Sequence, residues 1–165
     1  MKVIIAQTLT GRDKKLIYLL KEKLEAVCKD TAVEIWEGAG QGMALADLKR
    51  KEPDLFINFN LSGFEQETLT GGIAYNLSNC KQIHFLLSEK LPNEHFLEKQ
   101  MSIAMFFYCV GTAYCQYLSS GYPEIPYLKE IEGWEDTNAE DVLDKNAGIL
   151  CNIVTETAKI CRLIS

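Results

Sequence analysis

The loop Thr8-Leu9-Thr10-Gly11-Arg12 follows an apolar run, Val3 to Ala6, and precedes a segment with helical spacing. Hydroxyl groups beside the free N–H groups of a helix N-terminus make a site for an anion. Thr8, Thr10, Gly11 and Arg12 are therefore candidate contacts for a phosphate. The same residue types also make an ordinary turn capped by Asp13. A second polar group, Asn58, Asn60 and Ser62, stands at the exit of the apolar run Leu55 to Phe59. Such amides and hydroxyls can contact a sugar or a ring, and they also bond their own backbone at strand ends. Together the two groups suit a small ligand that carries phosphate, a nucleotide or a flavin.

Catalytic patterns are weaker. Ser62 lies in Leu-Ser-Gly rather than G-x-S-x-G, so it has no nucleophile elbow. Cys80 and His84 are close in sequence, but a Cys–His pair is defined by geometry, and His84 in an apolar strand reads as a packed core residue. Glu65 and Glu67 read as a solvated loop before they read as an acid–base pair. Gly38, Gly40 and Gly42 form a second glycine loop, yet it follows the second strand instead of the first, which is wrong for a dinucleotide fingerprint. Glu37 does stand where a ribose-binding acid would. The six cysteines include no C-x-x-C spacing, and only His84 and His95 could join them, so no metal site is expected and reduced thiols are. No catalytic residue is assigned.

The elements that would position these groups alternate. Strands are predicted at 2–7, 32–36, 55–60, 82–88 and 127–131, each a short apolar run bounded by turn residues. Helices are predicted at 13–29, 43–51, 93–120 and 137–164, with a short one near 72–77. Thr137-x-x-Glu140 forms a capping box at the start of the last. Strands that alternate with helices imply an α/β fold: a three-layer parallel sheet of about five strands with helices on both faces, flavodoxin-like or Rossmann-like. In such sheets ligands bind at the carboxyl ends of the strands.

On Thr8, Thr10 and Gly11, in their strand–loop–helix setting, the chain resembles the flavodoxin-like superfamily. The resemblance implies that Thr8 and Thr10 would hold the phosphate of flavin mononucleotide (FMN) and that Gly11 would allow the tight turn. Arg12 and Asp13 depart from it, since an Asn and then a Thr or Ser usually follow the Gly. Members usually stack an aromatic ring on the flavin, and Phe64 is the candidate here.

The chain of 165 residues is expected to form one α/β domain over 1–165. A net charge of −6 argues against nucleic acid as a partner. The first apolar run is too short for a signal-peptide core, so a cytoplasmic protein is expected. Met101 to Leu118 carries no charged side chain, but its serine, threonine, glutamine and tyrosines dilute it, and no membrane span is expected. Read as a helix, 93–120 would carry Ile103, Met105, Phe106, Phe107, Tyr108, Val110, Tyr114 and Tyr117 around more than one face. A helix apolar all round must be covered on all sides. That predicts a homo-oligomer and offers an alternative function, a non-catalytic interaction or regulatory domain. A third reading is the Rossmann-like half of a two-subunit sugar-transfer enzyme.

Overall fold

A computed structural model describes residues 1–8, 14–37, 45–65, 71, 75, 79–88, 91, 93–131 and 147–164. Six strands are present: β1 Lys2–Ala6, β2 Ala32–Trp36, β3 Leu55–Phe59, β4 Lys81–Leu86, β5 Met105–Val110 and β6 Leu128–Ile131. They form one sheet in the order β2-β1-β3-β4-β5-β6, and every neighbouring pair is parallel. The α-helices are α1 Lys14–Val27, α2 Leu45–Lys51, α3 Thr112–Gly121 and α4 Ala147–Ile164, with a 3-10 helix at Glu94–Glu98. The α/β class with a parallel sheet is thus present, with six strands where about five were expected.

Each strand interior is apolar on both sides because both faces are covered. One core joins Val3, Ile5, Ile57, Phe85 and Tyr108 to Leu20 and Leu24 of α1 and Ile149 and Ile153 of α4. The other joins Ile4, Phe56, Phe107 and Cys109 to Leu48 of α2, Leu97, and Tyr114 and Leu118 of α3. Leu16, Ile17, Leu20 and Leu24 of α1 are all buried, as their three- and four-residue spacing demands. Thr157 of α4 is wholly buried and its hydroxyl has no hydrogen-bond partner among the described residues. Thr157→Val keeps the branched shape and removes the unpaired oxygen. It is expected to raise stability by about 1 kcal/mol, read as the urea midpoint. A lower midpoint would mean that the hydroxyl has a partner in solution.

The helix expected over 93–120 is not there. Its first part is the 3-10 helix, its middle is β5, and only its end is α3. Met105-Phe-Phe-Tyr-Cys-Val is a central strand, paired to Gln82–Leu86 on one side and to Leu128–Ile131 on the other. Its aromatics are apolar all round because a central strand has core on both faces. Phe107 belongs to one core and Tyr108 to the other. The aromatic helix surface that motivated assembly therefore does not exist. Gly111, at φ 83°, turns the chain from β5 into α3. Among the described residues no helix is long and apolar enough to cross a membrane.

The expected short helix near 72–77 and the capping box at Thr137 and Glu140 lie outside the described residues, apart from Tyr75.

Candidate functional site

The sheet changes direction of growth at β1. From β1 the chain crosses through α1 to β2 on one side, then returns through α2 to β3 on the other. α1 packs on one face of the sheet and the turn after β3 on the other, the kind of switch point at which open parallel sheets bind ligands. Ile5 pairs with Ile57, and Thr8 and Asn60 follow the carboxyl ends of these two neighbouring strands.

Thr8 ends β1. Its backbone N–H donates to the Ala6 carbonyl at 3.1 Å, which curls the chain out of the sheet. Its Oγ1 is buried and has no hydrogen-bond partner among the described residues. A buried hydroxyl without a partner costs roughly 1–3 kcal/mol. Thr10, Gly11 and Arg12 lie outside the described residues, as do Gly38, Gly40 and Gly42.

After β3, Asn60 and Leu61 both adopt left-handed backbone, at φ 51° and 55°, and Gly63 follows at φ 79°. Left-handed backbone in a leucine is strained and persists only where its surroundings over-determine it. They do so here. The Asn60 N–H donates to the Phe85 carbonyl at 2.9 Å, and Asn60 Oδ1 accepts the Leu87 N–H at 2.8 Å. Asn58 Nδ2 donates to the Ser62 carbonyl at 2.7 Å, and Tyr75 Oη donates to the same carbonyl at 3.2 Å. Leu61 and Phe64 are wholly buried and pin the turn to the core.

These bonds sort the second predicted group. Asn58 is wholly buried and its side chain is committed to the turn. Asn60 links the ends of β3 and β4 and is partly exposed. Ser62 is partly exposed. The expectation that Phe64 stacks on a bound ring is corrected: Phe64 packs edge-on against His84 and Tyr75, at 4.9 and 5.6 Å between ring centres, with no exposed surface.

Glu37, at the end of β2, accepts a hydrogen bond from Tyr18 Oη of α1. That bond, first, and the carboxylate charge push the Tyr18 phenol above its ordinary value. Glu65 is exposed and accepts a bond from Asn93 Nδ2 at 3.3 Å, and Glu67 lies outside the described residues.

Sequence reasoning missed the buttress behind this turn. Gln82 and His84 of β4 are wholly buried on the Phe107 side of the sheet. Gln82 Nε2 donates to the Tyr75 carbonyl at 2.8 Å, and its Oε1 lies 3.2 Å from His84 Nε2. Two polar residues inside an apolar strand were the available signal.

Compared with known proteins, the chain matches no family model, no curated protein and no solved structure. What fold and site define is therefore a class: an α/β protein with an all-parallel six-stranded sheet and its one switch of strand order at β1.

Proposed function

We propose that this chain is a small-ligand binding domain that takes a phosphate-bearing nucleotide or a flavin in the loops at the strand carboxyl ends. The observation that carries the reading is the Thr8 hydroxyl, buried and without a partner among the described residues, beside the switch point of the sheet. An anion accepted there would receive that hydroxyl's proton in a hydrogen bond and relieve its desolvation. In this reading Thr8, Thr10, Gly11 and Arg12 hold the phosphate. Asn60 and Ser62 border the sugar or ring, and Asn58 acts behind them by holding the Ser62 carbonyl. The rigid turn after β3 supports the reading, because a strained and over-determined backbone is a mark of binding sites.

The test is calorimetric titration of FMN, AMP and inorganic phosphate into the purified protein, with the absorbance spectrum recorded alongside. Saturable binding of a phosphate-bearing ligand is expected. Thr8→Val is expected to weaken it about tenfold, the worth of a hydrogen bond to a charged group, without lowering the melting temperature. No saturable binding by any of the three, or equal affinity in the variant, would remove the assignment. Of the stretch expected to drive assembly, Ile103 and Tyr117 remain exposed, at 87% and 54%. Sedimentation of wild type against Tyr117→Glu reads whether a homo-oligomer uses them.

A further inference from the structure

The outer side of the α1–α4 layer carries a groove that the strand-end site does not use. It encloses about 540 Å³ and is lined by Lys23 and Val27 of α1 and, from α4, by Leu150, Val154, Ala158 and Arg162 among others. A volume of this size falls in the range of small-molecule pockets, roughly 300–1,000 Å³. The floor is apolar, and Val27 is left 52% exposed at its edge. From Leu150 to Arg162 the groove follows α4 for about 18 Å at 1.5 Å per residue, long enough to take an extended dodecyl chain.

Its charge has one sign. Lys23, Lys159 and Arg162 line it, and no acidic residue does. Lys159 is held by Glu156 at 2.7 Å. Lys23 and Arg162 have no ion-pair partner among the described residues. In a chain of net charge −6, two unpaired cations on the rim of an apolar groove are a specific feature.

We propose that this groove binds a single-chain aliphatic anion, with the tail along Val27, Leu150, Val154 and Ala158 and the head group against Lys23 and Arg162. Burial of the tail supplies affinity, at about fourfold per methylene. The cations select an anionic head over a neutral one. The exposed flank formed by Cys151 and Thr155 leaves the entrance open to solvent.

Dodecanoate, octanoate and dodecanol, each below its aggregation concentration, are titrated into the full chain by calorimetry. The expected result is one saturable site for dodecanoate, at least tenfold weaker binding of octanoate, and weaker binding of dodecanol. Lys23→Gln with Arg162→Gln is expected to cost dodecanoate about tenfold and to leave dodecanol unchanged. Thr155→Trp, which fills the groove from an exposed position, is expected to abolish binding of both at an unchanged melting temperature. Cys151→Trp repeats the block if the first variant melts early. Absence of saturable dodecanoate binding overturns the proposal, as does equal affinity in the charge variant. A wild-type dimer that Thr155→Trp dissociates would also overturn it, because the groove would then seat a second copy. None of these outcomes touches Thr8, so this site and the strand-end site stand or fall separately.

Discussion

Lowering the pH below 6.5 is expected to destabilise the protein by about 1.4 kcal/mol per pH unit through His84 alone, and His84→Leu is expected to remove that contribution. The ring has no exposed surface. It stacks on Phe107 at 5.0 Å and meets the edge of Phe64 at 4.9 Å. Gln82 Nε2 donates to the Tyr75 carbonyl, so Gln82 Oε1 faces His84 as an acceptor. The network thus assigns the proton to Nε2 of a neutral ring. Nδ1 is left buried without a partner among the described residues. Burial disfavours a charge here and pushes the imidazole down to about 3.

The sign follows from linkage. The unfolded chain takes up a proton at His84 as pH falls through 6.5, while the folded chain refuses one until about 3. The stability is therefore present in full above pH 6.5, declines between those values, and is lost below the lower one. Urea unfolding at a series of pH values reads the slope. His84→Leu leaves Gln82 Oε1 without its partner and starts less stable at neutral pH, by roughly 1–3 kcal/mol, so slopes rather than midpoints are compared. Equal slopes in variant and wild type would show that His84 is not held neutral.

The second large effect is at Gly63. Its φ of 79° is one that L side chains rarely adopt. An added Cβ would also fall well inside contact distance of Tyr75 Oη and within 3.1 Å of its Cζ. Gly63→Ala is expected to cost about 2–4 kcal/mol from left-handed strain and overpacking together. Tyr75→Phe alone loses the bond to the Ser62 carbonyl, about 1 kcal/mol. Made together, the two changes should cost less than their sum, because the hydroxyl that blocks the new methyl is gone. Strict additivity in this double-mutant cycle would mean that Tyr75 does not sit over Gly63 in solution. The same variants should weaken ligand at the strand ends, since the turn they disturb lies at the switch point.

The first half of the fold was legible residue by residue. Lys2–Ala6, Ala32–Trp36 and Leu55–Phe59 are short apolar runs between turn residues, and the leucines of α1 mark its buried face. The reading failed at β5 for a physical reason. A central strand in a parallel sheet is buried on both faces, so it has no alternation to display. Met105 to Val110, run together with the helical pattern of Tyr114 and Leu118, then reads as one long helix. The strand-forming bias of Phe106, Phe107, Tyr108 and Val110 was the available correction.

At the site, Thr8 and Asn60 were chosen by residue type and position, and the strand order makes the strands that they follow neighbours. The third strand was expected to run to Asn60. The alternation ends at Phe59, where the left-handed turn takes over, and local periodicity carries no information about such a turn. Gln82 and His84 pair with residues brought in by the sheet and by Tyr75, contacts that no window of sequence contains.

From β3 onward the sheet grows in chain order, each strand joining the edge left by the one before it. During synthesis from the N-terminus, β1, β2 and β3 can close as soon as Phe59 is available, and β4, β5 and β6 then add outward one at a time. The two faces are not covered at the same moment. Leu48, Leu97 and α3 arrive between strands and cover theirs as it forms. The opposite face, with Phe85, Tyr108 and Val110, packs against Ile149 and Ile153 of α4, which follows β6 in the chain. Among the described elements, then, the partner of these aromatics is made after the strands that carry them, and that interval is when a nascent chain is most exposed to aggregation and to chaperones.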